Sequence, residues 1–262
     1  MKKKNRDVNI FSMSALDLFA SAMGAFMLLA VISLPFFGNT SKPVAPTKCP
    51  DPVECVCKKC PEVKTPLKPF KSADIVIVFD ISGSMSTQLN FLKAETKGIA
   101  HLLKELSSSS SIRYIAFGDD GFDQPVTAFP LTSVNSPKTL QGYVDTIKID
   151  MGVGSGGNNI SGEAVYAGVN KAINTRWNAG TDIQSIVLIT DDEPHPGQSQ
   201  RLSREIQSFA SSKNRRFSVL FTGSSTSRKN YYQNLASIGN GTLTDLKTTS
   251  LTAGIVLSLH QK

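Results

Sequence analysis

From Ala73 onward the chain alternates short β-branched apolar runs with longer stretches of helical period, and that alternation limits the fold more than any other feature. The run "DIVIVF" (Asp74–Phe79) is apolar after its first residue, as in a strand covered on both faces of a parallel sheet. "IQSIVLIT" (Ile183–Thr190) and "RFSVLFTG" read as further strands of the same kind. Between them, "LNFLKAETKGIAHLLKEL" (Leu89–Leu106) places Leu92, Ile99, Leu102, Leu103 and Leu106 at helical spacing, with Lys and Glu opposite. "SIRYIAFGD", "VTAFPL" and "GTLTDL" are the remaining strand candidates. Helices are expected near 137–147, through "SGEAVYAGVNKAINTRW", near 199–212 and 228–238, and at the end of the chain. Strands that alternate with helices imply right-handed crossovers, hence an α/β fold with a doubly wound, mostly parallel sheet. Ligands of such sheets bind beyond the carboxyl ends of the strands, beside the point where strand order reverses.

Two strand ends carry candidate chemistry. The first strand runs into "DISGSM", where Asp80, Ser82 and Ser84 alternate so that their oxygens can turn toward one point. The strand "SIVLIT" runs into "DDEPH", which sets Asp191 at its carboxyl end. Carboxylate and hydroxyl oxygens without His or Cys suit a hard divalent cation, Mg²⁺, Mn²⁺ or Ca²⁺.

These motifs resemble those of von Willebrand factor type A (VWA) domains, whose metal-ion-dependent adhesion site opens with D-x-S-x-S. "FDISGSM", the loop "GSGGNNISGEAVYAGVNKAI" and "VLITDDEPH" follow in the family's order, and the resemblance covers residues 73–260. It implies that Asp80, Ser82 and Ser84 are metal-site residues and that Asp191 reaches the metal through water. The family's usual Thr or Asp from the glycine-preceded loop is replaced by Asn158 and Asn159, whose amides can ligate but add no charge. The resemblance also implies a binding module whose partner completes the metal's coordination with a carboxylate. An enzyme is not expected: no His is paired by motif with a nucleophile, the cysteines lie in a linker, and no phosphate-cradling loop with its lysine occurs. Asp192, Glu193 and His195 read as loop surface, "DDGFD" (Asp119–Asp123) as a solvated turn, Arg215 and Arg216 as the start of a strand, and Trp177 as packing.

Upstream stands "SALDLFASAMGAFMLLAVISLPFF", with no charge from Leu18 to Phe37. At ~1.5 Å per residue such a run crosses the ~30 Å hydrocarbon core of a bilayer. It is longer than a signal peptide's apolar stretch, and Phe36 and Phe37 stand where cleavage wants small residues, so a retained anchor is expected over a cleaved signal. Lys2, Lys3, Lys4 and Arg6 place the N-terminus in the cytoplasm. The expected organisation is a basic cytoplasmic tail (1–12), a transmembrane helix (13–37), a Pro/Lys/Cys-rich periplasmic linker (38–72) and the VWA domain (73–262), in a single-pass protein of a bacterial inner membrane.

The net charge of +7 belongs mostly to the flanks: the tail carries +3, the linker +4 and residues 73–262 only +1. Nucleic-acid binding by the folded domain is therefore not expected. The linker holds all four cysteines, Cys49, Cys55, Cys57 and Cys60. Outside the membrane, disulfides are the default, with zinc the alternative and the pairing open.

Asp17 stands at the leading edge of the apolar run. It could cap the helix N-terminus at the interface, where the dipole favours an anion. Yet Asp17, Ser21, Gly24, Ala25 and Leu28 share one helical face, and small residues on that face allow close helix contact. This layout resembles the B-type subunits of ion-driven motors, the flagellar stator B subunit and the ExbD/TolR group. The resemblance covers residues 1–37 and implies that Asp17 carries the translocated proton. It also implies a homodimer inside a ring of multi-pass channel subunits of the MotA, ExbB or TolQ kind, with the outer domain gripping a periplasmic or envelope protein. The competing expectation is a passive membrane-anchored adhesion or assembly module.

Overall fold

The computed structural model describes residues 70–107, 109–119, 126–149 and 162–259. All belong to the second of two compact units, Lys64–Lys262. The expected membrane span, Asp17, the four cysteines and Asn158 and Asn159 lie outside the described residues. Among the described residues no helix is long and apolar enough to cross a membrane.

β1 (Ser72–Asp80) leads through a 3₁₀ turn (Gly83–Met85) into α1 (Ser86–Leu106), followed by β2 (Ser109–Phe117), β3 (Val126–Ala128), β4 (Thr132–Ser133) and α2 (Pro137–Thr146). After the glycine-rich stretch come α3 (Val165–Ile173), β5 (Ile183–Thr190), α4 (Ser199–Phe209), β6 (Arg215–Phe221), α5 (Thr226–Ile238), β7 (Asn240–Asp245) and α6 (Leu251–Leu257). The strands form one sheet in the order β3-β2-β1-β5-β6-β7, with β4 also on β2. β1 is parallel to β2 and β5, and β6 is parallel to β5 and β7.

The uniform apolarity of "DIVIVF" follows from this placement. Every residue of β1 from Ala73 to Asp80 is buried. Ile75, Ile77 and Phe79 join the core packed by α1, α2 and α6, while Val76 and Val78 join the core packed by α3, α4 and α5. Helices thus cover both faces, and the sheet is doubly wound.

Three local departures from the sequence reading have physical reasons. Within "VTAFPL" only Val126–Ala128 is strand (β3); pairing stops before Pro130 and resumes beyond the segment in β4, both antiparallel to β2, because a proline cannot donate to a ladder. α3 begins at Val165 rather than Ser161, because Gly162 takes φ +90° and Glu163 makes an isolated bridge with Pro194. Leu102 and Leu106, expected on the apolar face of α1, are only half-buried.

Candidate functional site

The strand order reverses between β1 and β5: the chain leaves β1 for β2 on one side and later returns to lay β5 on the other. Asp80 is the last residue of β1, and Asp191 follows the last residue of β5. Parallel pairing in register, Phe79 opposite Ile189, sets the two strand ends side by side. Tertiary structure therefore joins two motifs separated by more than a hundred residues at the crevice where open α/β sheets bind ligands.

Asp80 is fully buried. One carboxylate oxygen accepts the Ser82 N–H at 2.9 Å, and the other accepts the Thr190 hydroxyl at 2.8 Å. Burial pushes its carboxyl up to about 6; the bonds from Ser82 and Thr190 oppose this, and the charge of Asp191 adds to it. The Ser82 and Ser84 hydroxyls lie 3.2 Å apart, Ser82 half-buried and Ser84 exposed. The Ile81 N–H donates to the Phe117 carbonyl at 2.9 Å, which ties this turn to the end of β2. Asp191 has a buried oxygen, Oδ1, without a hydrogen-bond partner among the described residues.

Several residues around this crevice were not legible as site residues. Thr190 closes the apolar strand run, yet its hydroxyl serves Asp80. Glu163 sits where the start of α3 meets the loop after β5, its N–H donating to the Glu193 carbonyl at 2.9 Å. Burial first, then the charges of Asp80, Asp119, Asp192 and Asp191, push its carboxyl up to about 8. Asp192 pairs with Arg228 of α5 at 2.8 Å, and its carbonyl accepts the Tyr232 hydroxyl at 2.5 Å.

His195 is a correction to the sequence reading. It is buried, not loop surface, and its Nε2 lies 3.2 Å from Asp119 Oδ1. Asp119, the first residue of "DDGFD", is accordingly a partner of the crevice rim instead of part of a free turn; Asp120–Asp123 lie outside the described residues. Glu193 is exposed as expected. Arg215 and Arg216 open β6, with the Arg215 guanidinium over the Phe209 ring and buried Arg216 donating to the Leu259 carbonyl. Trp177 packs against Phe209 with ring centroids 5.6 Å apart.

Among the described residues no three His, Cys, Asp or Glu side chains converge as a ready-made metal cage. The crevice offers instead one buried carboxylate, two adjacent hydroxyls and a second carboxylate with an unpartnered oxygen. All are hard oxygen donors, and the chemistry of this set fits a divalent cation that keeps several waters.

A doubly wound sheet with D-x-S-x-S at one switch-point strand and an aspartate at the other defines a class of protein-interaction domain. The family model described as the von Willebrand factor type A domain matches residues 74–253, and the chain belongs to that family. No curated protein matches it by sequence. Among solved structures it is similar to the pilus adhesin SpaC from Lactobacillus rhamnosus GG in its open conformation, at 13% identity and a TM-score of 0.51. That match covers 73% of this chain and 29% of the adhesin. A second form of the same adhesin matches at 12% identity and a TM-score of 0.52, over 73% of this chain and 30% of the other. The chain thus spans less than a third of the adhesin it resembles, and the likeness is one of fold.

Proposed function

We propose that the VWA domain is a cation-assisted, non-enzymatic binding module for a protein partner. One arrangement carries this reading: buried Asp80 at the switch point, with the Ser82 and Ser84 hydroxyls beside it and an unpartnered oxygen of Asp191 opposite. Asp80, Ser82 and Ser84 would hold Mg²⁺, Mn²⁺ or Ca²⁺, Asp191 would act through water, and the loop bearing Asn158 and Asn159 would add only neutral oxygens. When bound, the cation supplies a Lewis-acidic position for a carboxylate of the partner. The bonds from Ser82 and Thr190 favour the charged form of Asp80 that the ion needs, against the larger effect of burial. The fold likeness to a pilus adhesin supports a binding role without specifying a target. The test is thermal denaturation and calorimetric titration with each cation. Wild-type protein should be stabilised and Asp80→Asn should not; a wild-type protein indifferent to all three ions would end this reading.

The membrane placement and the motor role rest on the sequence. Asp17 on a face of small residues favours a B-type subunit: a homodimer within a ring of MotA-, ExbB- or TolQ-like subunits, loading and releasing a proton at Asp17 while the outer domain grips a periplasmic or envelope protein. The passive anchored adhesion or assembly module is equally consistent with the fold. Asp17→Asn separates them. The motor requires loss of ion flux through the partner ring with binding by the outer domain intact; undiminished flux would leave the passive module.

A further inference from the structure

The charge of residues 73–262 is nearly balanced, yet it is not evenly placed. Asp80, Asp191 and Asp192 stand at or just beyond the carboxyl ends of β1 and β5. Toward the other end of the sheet, a cleft of about 410 Å³ between α1 and the start of α2 is lined by Lys97, His101, Lys104 and Lys138, with Val134, Asn135 and Pro137 among them. Lys97, His101 and Lys104 fall at i, i+4 and i+7 on α1, so they share one helical face. α2 runs back along α1, its Gln141 amide donating to the Lys93 carbonyl at 2.8 Å, and this brings Lys138 to the same cleft. All four basic side chains are exposed, and none has an ion pair or hydrogen bond among the described residues. Of the acids on these two helices, Glu95 accepts the Thr252 hydroxyl at 2.6 Å and Asp145 the Gln141 amide at 2.8 Å; neither they nor Glu105 line the cleft.

The cleft lies at the end where the chain enters the domain. Val134, in its wall, donates its N–H to the Ser110 carbonyl at 3.0 Å, and Ser110 pairs with Ala73 at the start of β1. The Ser107 hydroxyl, just beyond Lys104, donates to the Lys71 carbonyl at 2.8 Å. Asp80 is at the far end of the nine-residue β1, roughly 26 Å away. Unpaired lysines that converge on one cleft hold a positive potential, and the start of α2, which has no side-chain cap, adds its dipole. The sequence places the expected membrane span upstream of this entrance, and a bilayer with anionic phospholipid attracts basic side chains within a Debye length, about 8–10 Å.

We propose that this end of the domain docks on anionic phospholipid of the membrane that anchors the chain, with one headgroup phosphate taken into the cleft of Lys97, His101, Lys104 and Lys138. Val134 and Pro137 give the cleft an apolar wall for the glycerol carbons of the lipid. The docked domain turns its Asp80 crevice away from the bilayer, toward a protein partner. This rests on the membrane placement read from the sequence.

The test places full-length protein in nanodiscs of phosphatidylcholine, with and without one-third phosphatidylglycerol, and reads energy transfer from Trp177 to a dansyl-labelled lipid. Trp177 is the sole tryptophan and lies at the same end of the sheet, next to Asn178, whose N–H donates to Asp74 near the start of β1 at 2.8 Å. Transfer should be higher with phosphatidylglycerol and should fall to the phosphatidylcholine level in high salt. Each lysine near an anionic surface should contribute about fivefold to docking, so Lys97→Gln/Lys104→Gln/Lys138→Gln should weaken it by about 100-fold. Lys97→Arg/Lys104→Arg/Lys138→Arg should dock like wild type, and both variants should melt at the wild-type temperature because the three positions are exposed. A triple glutamine variant that docks as well as wild type would overturn the lipid site and leave the membrane placement standing. Suppression of the transfer by millimolar inorganic phosphate at constant ionic strength would assign the cleft to free phosphate and overturn the lipid. Transfer that grows with the number of copies per disc, and not with phosphatidylglycerol, would assign it to a second copy and overturn the lipid likewise. Protein that does not enter nanodiscs would overturn both the lipid site and the membrane placement.

Discussion

At the scale of single residues, the crevice holds two carboxyl groups whose proton affinity the fold raises. Asp80 is raised from 3.8 to about 6 and Glu163 from 4.5 to about 8, chiefly by burial. A carboxyl with a raised value favours folding most below its ordinary value and loses that contribution as pH climbs through the folded value. The cation-free protein is therefore expected to lose stability between about pH 4 and 6 through Asp80, and between about pH 4.5 and 8 through Glu163. Cation affinity should rise over the same interval, because ligands must shed their protons to bind. Melting curves in chelator from pH 5 to 8.5 check this: Glu163→Gln should flatten the decline above pH 6, and an unchanged slope in that variant would refute the assignment. None of this was legible along the chain, where Glu163 reads as the first turn of a helix. Its environment is created by Asp80, Asp119, Asp191 and Asp192 arriving from three other segments. His195 and Asp119 escaped notice for the same reason: each looks like loop surface alone, and only the fold brings them within 3.2 Å.

At the scale of elements, the sequence patterns were most reliable where a segment is covered on both sides. β5 spans Ile183–Thr190 as expected, with every residue buried, because continuous apolarity has no competing solution inside a two-layered cover. Boundaries that depend on a distant neighbour were not readable in this way. The start of α3 is one such case, set by the contact of Gly162 and Glu163 with the loop after β5. Gly162→Ala should therefore cost about 1–3 kcal/mol, since a side chain at positive φ is strained and its Cβ would press on the Glu193 and Pro194 carbonyls. Chemical denaturation reads the loss directly; a variant as stable as wild type would show that the turn adopts another path.

At the scale of the whole molecule, residues 73–262 are near neutral while the charge is carried by the segments before them, and the cysteines precede the domain in the sequence. The periplasmic placement inferred from the basic tail predicts that Cys49, Cys55, Cys57 and Cys60 are oxidised in the cell. Alkylation of protein extracted without reductant should leave all four unlabelled, and reduction should expose all four. Thiols that become reactive on chelation alone would indicate zinc instead.

The alternation of buried strands with amphipathic helices determined the α/β class and the mostly parallel, doubly wound sheet, since each segment's pattern states how many of its faces must be covered. The D-x-S-x-S run and the aspartate after "SIVLIT" were legible as well, because the carboxyl end of a strand is a local property. What tertiary structure alone decided is which groups meet: Thr190 with Asp80, His195 with Asp119, and the Glu163 backbone with the Glu193 carbonyl. Those pairings join residues as far apart as 110 positions. Burial and Coulomb energy depend on distance in space, and no local pattern of residues encodes that distance.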